Sequence, residues 1–326
     1  MGLELPGALR AALERELEGV SRRGLAERAA RTSAAYRSGQ GSAGVVRGLE
    51  DALAYALARL PATYAACATV LGEAARMAPG FAPKSVLDAG SGPAAASWAA
   101  LEAWPGISGV TWLDESPPFL DLAGRLADGA PAPIRGSDRR RADLTAPGAG
   151  WPHADLVVAS YALAEIAPAR QADVVRSLWD ACDGVLALVE PGTPAGFTRL
   201  LAARQALIAA GADVLAPCPH ARDCPLAAPD WCHFSVRLPR SRDHRLAKGA
   251  EAPFEDEKFA YLVAARPGLA PAARSPRVLS HPRAGKPGID LKLCGPEGLQ
   301  ARHVPRRDKP GHAAARRLGW GDVFEG

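Results

Sequence analysis

An α/β fold built on a doubly wound parallel sheet is what this sequence predicts, and three observations predict it. Short apolar runs recur along the middle of the chain, Ser85–Leu87, Gly109–Leu113, Asp155–Ser160 and Val185–Glu190, with helical stretches between them. The first run enters a glycine turn, Asp88-Ala89-Gly90-Ser91-Gly92-Pro93-Ala94, and an Ala- and Trp-rich helix follows. Hydrophobic residues make up 48% of the 326 residues and charged residues 23%, so the chain can bury one large core or two modest ones.

Residues 1–80 read as a helical preface. Leu9, Leu13, Leu17 and Val20 recur at helical spacing, as do Leu49, Leu53, Leu57 and Leu60. Ser38–Ser42 is expected to divide the region, and Pro61 to begin a further helical stretch through Tyr64, Cys67 and Leu71. The sheet domain occupies 81–270. Its second strand ends at Asp114-Glu115-Ser116-Pro117, a helix passes through Leu120 and Leu126, and Asp143-Leu144 closes a third short strand. The fourth and fifth strands are 155–160 and 185–190, and a helix covers 198–210. A cysteine loop, 217–234, is inserted before Phe234–Leu238 and Phe259–Ala265, which are expected to form an antiparallel end of the sheet. Residues 271–326 read as a basic, Pro- and Arg-rich extension with short strands at best, tied back through Cys294.

A strand–Asp-x-Gly-x-Gly–helix turn lets backbone approach a ligand closely, and the acid ending the next strand, Asp114, can accept hydrogen bonds from ribose hydroxyls. The glycines alone would also suit a dinucleotide. Asp88 directly before them would repel a pyrophosphate, Asp114 is followed by Glu-Ser-Pro, and Asp143 stands where an adenine amino group is held. These features resemble class I methyltransferases, and the resemblance implies an S-adenosylmethionine site of Asp88, Gly90, Gly92, Asp114, Asp143 and Ser160. Ala94 departs from the glycine pattern and narrows the space near the methionine part. After the fourth strand the chain reads Ala159-Ser160-Tyr161-Ala162-Leu163-Ala164-Glu165, with neither a cysteine nucleophile nor an Asn/Asp-Pro-Pro-aromatic loop. Tyr161 and Glu165 are of the right type for acid–base work. The plainer expectation is that Tyr161 packs and Glu165 lies on a solvated helix, so no catalytic residue is assigned.

Three cysteines, Cys218, Cys224 and Cys232, fall in one run with prolines and a tryptophan, and Cys294 returns downstream. Four sulfurs suit a tetrahedral zinc or an iron–sulfur cluster, and a chain with no expected secretory signal favours metal over disulfides. His220 and His233 are expected to bond locally, and Cys67 and Cys182 to be buried thiols.

Taken together, the segments resemble one family, the methyltransferase-like assembly factors of the small ribosomal subunit in bacteria and mitochondria. The matching stretches are Leu60–Ala66, Val86–Pro93, Glu190–Phe197, Cys218-Pro219-His220, Cys224-Pro225-Leu226, Trp231–Ser235, Lys258–Leu262, Cys294, Ala315-Arg316-Arg317 and Trp320-Gly321-Asp322. The resemblance implies that Cys218, Cys224, Cys232 and Cys294 hold a [4Fe–4S] cluster, with zinc as the alternative. It implies small-subunit ribosomal RNA and the assembling subunit as partners. Both methylation of that RNA and a non-catalytic RNA-binding assembly role follow from it, and a cluster-dependent sensor is a third expectation.

Charge supports the RNA side. Ser235 to Gly326 carry 18 Lys and Arg against 10 Asp and Glu, a net +8, which leaves −4 on residues 1–234 of a chain whose total is +4. Arg302, Arg306, Arg307, Lys309, Arg316 and Arg317 are the expected phosphate contacts, in a segment expected to order largely on RNA. The N-terminal residues lack a basic segment followed by an apolar run, and no stretch of eighteen uncharged apolar residues occurs. A cytoplasmic monomer without membrane attachment is therefore expected.

Overall fold

A computed structural model describes residues 3–37, 44–146, 150–270 and 274–325. The chain opens with helices α1 (Gly7–Glu16), α2 (Arg22–Arg37) and α3 (Leu49–Met77). The break expected at Ser38–Ser42 lies outside the described residues. The break expected at Pro61 does not occur, because α3 runs through it for 29 residues. A helix-interior proline costs about 3 kcal/mol, whereas burying one large apolar side chain contributes about 1.5–3 kcal/mol. Helix α3 buries Leu53, Leu57, Leu60, Tyr64, Val70 and Leu71, so packing decides.

The sheet domain follows as β1 (Ser85–Ala89), α4 (Ala95–Ala103), β2 (Gly109–Asp114), α5 (Pro117–Leu126), α6 (Ala132–Arg135), β3 (Asp138–Arg141) and β4 (Ala154–Ser160). A short 3-10 turn (Leu163–Glu165), α7 (Pro168–Asp180), β5 (Cys182–Pro191), α8 (Pro194–Ala209), β6 (Asp213–Ala216), β7 (Phe234–Pro239), α9 (Arg242–Lys248) and β8 (Phe254–Ala265) complete it. The strand order is β3-β2-β1-β4-β5-β8-β6, and β7 shares the outer edge of β8 with β6. Strands β1 to β5 pair in parallel, and β8 is antiparallel to β5. This is the class I methyltransferase arrangement, including the antiparallel end expected from Phe234–Leu238 and Phe259–Ala265.

Alternate strand residues explain the double winding. Val86, Trp112, Val158 and Ala187 enter the core under α3, α4 and α5. Leu87, Leu113, Val157 and Leu186 enter the opposite core with Val174 and Leu178 of α7 and Leu200 and Leu207 of α8. Two apolar faces demand a helical layer on each.

The C-terminal segment is better ordered than its composition suggested. Strands β9 (Arg277–Val278), β10 (Arg283–Ala284), β11 (Gly288–Gly295) and β12 (Gly298–Pro305) form a second sheet, and α10 (Lys309–Ala315) packs on it. Val278, Ile289, Leu291, Leu293, Val304 and Ala315 make its core, with Leu318 and Phe324 against them. The expectation of short strands at best is thus corrected. Ile289, Leu291 and Leu293 alternate with Asp290 and Lys292, a strand period masked by the prolines and arginines around it.

Candidate cofactor cleft and thiol site

In an open α/β sheet the ligand crevice lies at the carboxyl ends of the strands where the winding reverses. Here that point lies between β1 and β4. A cleft of about 250 Å³ opens there, with Gly90 and Gly92 after β1, Asp114 and Glu115 at the end of β2, Asp143 after β3, and Ser160 and Tyr161 at the end of β4. Gly90 has φ +69, and a Cβ on it would stand 2.8 Å from the Ala162 methyl, so only glycine fits the close approach of the two turns.

Four carboxylates, Asp114, Glu115, Asp143 and Glu165, line the cleft, and no Lys, Arg or His is among its lining residues. Asp114 accepts from the backbone N–H of Gly92 (2.7 Å) and of Ser116 (2.8 Å), which binds the glycine turn to the end of β2. Burial pushes its carboxyl up to about 6 against those hydrogen bonds. Burial, with Asp143 and Glu165 nearby, also raises Glu115. Asp143 is held below the ordinary carboxylate range by the Thr145 N–H and hydroxyl, each 2.7 Å away. Such a lining suits hydroxyl, amino and cationic groups and repels phosphate.

Asp88 stands apart. It is wholly buried and accepts from the Ser97 N–H (3.1 Å) and hydroxyl (2.7 Å), while the Trp112 indole donates to the same hydroxyl (3.0 Å). Its place is beneath the glycine turn, fixing α4 to β1, and burial pushes it up to about 7. Tyr161 packs as expected. Its hydroxyl donates to Glu257 on β8 (2.8 Å), Arg59 on α3 clasps the same carboxylate (2.9 and 3.3 Å), and burial holds the phenol well above its ordinary pKa. Glu165 is exposed on the 3-10 turn at the cleft rather than on a solvated helix. The sequence reading missed Arg59 and Glu257, whose partners lie far away along the chain.

The four cysteines come together. Cys218, Cys224 and Cys232 from the loop between β6 and β7, and Cys294 from β11, line one cavity of about 40 Å³. Among the described residues, no group of three or more His, Cys, Asp or Glu side chains is arranged to hold a metal ion. Burial and the neighbouring thiols push Cys294 up to about 12, and Cys218 and Cys232 are raised by the same causes. His220 Nε2 stands 3.6 Å from the Cys294 sulfur. His233 bonds the Trp231 carbonyl (3.1 Å) and stacks on that indole, so it acts locally. Cys67 and Cys182 are buried and pushed up to about 12, inert as expected.

Two buried arginines line the same cavity and were not foreseen, Arg204 on α8 and Arg277 on β9. Arg204 had a signal, since it shares the Leu200, Ala203 and Leu207 face of its helix, where a charge is out of place. Arg277 had none. The six predicted phosphate contacts, Arg302, Arg306, Arg307, Lys309, Arg316 and Arg317, are all exposed around β12 and α10.

The family described as mitochondrial small ribosomal subunit Rsm22 matches residues 49–325, which takes in the cleft, the thiol loop and the C-terminal sheet. The chain belongs to this family. A human relative, the mitochondrial ribosome assembly protein METTL17, is 30% identical over 295 residues. That match covers 83% of this chain, which spans 62% of the relative's length. Among solved structures, the magnesium protoporphyrin IX methyltransferase of Synechocystis with bound SAM shares 15% identity at a TM-score of 0.42, over 76% of this chain and 99% of that one. The ribosomal protein L11 methylase of Lactobacillus delbrueckii shares 18% at 0.36, over 61% and 76%. Membership of the family rests on the sequence match, and the fold on the strand order. No helix among the described residues is long and apolar enough to cross a membrane.

Proposed function

We propose that this chain is an assembly factor of the small ribosomal subunit that binds ribosomal RNA through its C-terminal sheet and S-adenosylmethionine in the acidic cleft. The human relative's name supports the assembly role. The observation that carries the RNA part is the basic surface. None of the six exposed cations around β12 and α10 pairs with a carboxylate among the described residues, although surface ion pairs abound elsewhere on the molecule. Unpaired cations on an ordered support are free for phosphates. In this reading the factor acts as a monomer in the cytoplasm, whereas its human relative is mitochondrial.

The cleft fits S-adenosylmethionine in its donor chemistry. Asp114 offers acceptors to ribose hydroxyls, Asp143 to an adenine amino group, and the carboxylate-rich wall accommodates a sulfonium. The thiol site brings four sulfurs to one cavity, the donor set of a [4Fe–4S] cluster or, alternatively, of a zinc ion. When bound, the cluster would join the loop after β6 to β11 and add its binding free energy to the docking of the C-terminal sheet.

Methyl transfer is the second reading, favoured by Glu165, an exposed carboxylate at the cleft able to take a proton from an acceptor. Nucleoside-resolved mass spectrometry of small-subunit ribosomal RNA, with gradient profiles of the subunits, separates the two. Cells lacking the chain should accumulate immature small subunits with an unchanged methylation map. A methyl mark that disappears with the chain, and stays absent with Glu165→Gln, would establish transfer instead. Normal subunit profiles without the chain would end the assembly reading.

A further inference from the structure

A guanidinium with no carboxylate partner lies buried at the thiol site. Arg204 is 4% exposed and lines the cavity with the four cysteines. Its Nη2 donates to the carbonyls of His220 (2.7 Å) and Arg222 (2.8 Å), which shapes the loop between Cys218 and Cys224. Among the described residues its buried Nε–H has no nitrogen or oxygen acceptor, and the Cys218 thiol lies beside the guanidinium. Among the described residues no carboxylate pairs with it, in contrast to Arg277 across the same cavity, which is paired with Glu73. His220 cannot neutralise it, since an imidazole is either neutral or cationic and supplies no negative charge.

An unpaired buried cation is costly, and carbonyl hydrogen bonds do not cancel its charge. The anion that would cancel it has one source within the cavity, the thiols of Cys218, Cys224, Cys232 and Cys294 in their deprotonated, metal-bound state. Four thiolates around either Zn²⁺ or a [4Fe–4S]²⁺ core leave a net charge of about −2 by simple valence counting.

We propose that Arg204 is the counter-ion of the thiol site: its fixed positive charge stabilises the anionic metal–thiolate group and sets how readily that group accepts an electron. This rests on the metal reading above and adds a positioning residue to it. Arg277, which also lines the cavity, differs in having a carboxylate partner, Glu73, and in clamping the Pro217 and Gly321 carbonyls. The expected sign follows from electrostatics. Removing a positive charge beside an anionic group penalises the more reduced, more negative state, so the midpoint potential must fall.

The test uses the full chain, purified anaerobically and reconstituted with ferrous iron and sulfide, as wild type, Arg204→Gln and Arg204→Lys. Iron and acid-labile sulfide per chain are measured first, then the midpoint in a dye-mediated potentiometric titration. Arg204→Gln should disfavour reduction by about tenfold, which for a one-electron couple is about 59 mV to the negative. Arg204→Lys keeps the charge and should stay near wild type. If the site takes zinc instead, release to a chelator replaces the potential, with Gln about tenfold faster than Lys. Loss of the metal in Gln but not Lys supports the proposal. Equal midpoints in wild type and Gln, or equal shifts or losses in Gln and Lys, overturn it. A wild type that takes up neither iron nor zinc, with all four thiols open to a thiol reagent, sinks the metal reading itself.

Discussion

Replacing Arg277 by Met should uncouple the C-terminal sheet from the methyltransferase-like domain. The side chain is 4% exposed and donates to the Pro217 carbonyl (3.3 Å) at the entry to the thiol loop and to the Gly321 carbonyl (2.8 Å) near the chain end, and it pairs with Glu73 on α3. Three distant segments therefore meet on one guanidinium. Met fills much of the apolar volume but leaves two carbonyls short of a donor. Among the described residues Glu73 then keeps Arg76 alone, at 2.8 Å. Removing one partner of a buried ion pair costs about 3–5 kcal/mol, and the surviving Arg76 contact places this case near about 3 kcal/mol. At 1.36 kcal/mol per decade, opening of the C-terminal sheet becomes about a hundredfold more frequent. Hydrogen exchange of the full chain, followed by mass spectrometry, reads this directly. Amides of 288–305 should lose about two decades of protection while β4 and β5 keep theirs. Equal loss in β4 and β5, or unchanged exchange over 288–305, would refute the clamp.

Other expectations follow from the same geometry. Burial pushes Asp88 and Glu190 up to about 7 and Asp114 to about 6, so the folded chain holds protons that an unfolded chain releases near pH 4. Stability contributed by these groups therefore rises as pH falls from about 7 toward 4. In thermal unfolding, Asp88→Asn should gain less between pH 8 and pH 5 than wild type does; an identical gain would contradict its buried, raised state. Gly90→Ala must adopt φ +69 with its methyl 2.8 Å from that of Ala162, at about 1–2 kcal/mol. Calorimetric titration should show S-adenosylmethionine binding weakened at least about tenfold, whereas unchanged affinity would place the ligand elsewhere. Changing Arg302, Arg306 and Arg307 together to Gln should flatten the slope of log affinity against log salt by about two to three units. An unaltered slope would remove these side chains from the RNA surface.

Much of the fold was legible because its signals are local. The β1 run into Asp88-Ala89-Gly90-Ser91-Gly92, and the acid ending β2, identify a sheet of this winding from a few adjacent residues. The same holds for the cysteine loop, whose residues are close in sequence. What stayed hidden depends on contacts between remote segments. Asp88 looks like a cleft residue from its place before the glycines, but Ser97 and Trp112 draw it beneath the turn. Tyr161 finds Glu257 and Arg59 only once β8 and α3 are assembled. Pro61 reads as a break because propensity is local, while the apolar faces that override it come from the rest of the core. The C-terminal strands were obscured by composition, although Ile289, Leu291 and Leu293 carried the alternation.

We propose above that the basic C-terminal sheet seats this chain on small-subunit ribosomal RNA. Ultraviolet cross-linking of the full chain in the cells that encode it, with sequencing of the attached RNA and mapping of the cross-linked peptide, tests that claim most directly. Small-subunit ribosomal RNA should be joined to peptides from residues 302–317, with the signal lost when those cations are changed to Gln. RNA of another class, or cross-links confined to surfaces away from β12 and α10, would contradict it.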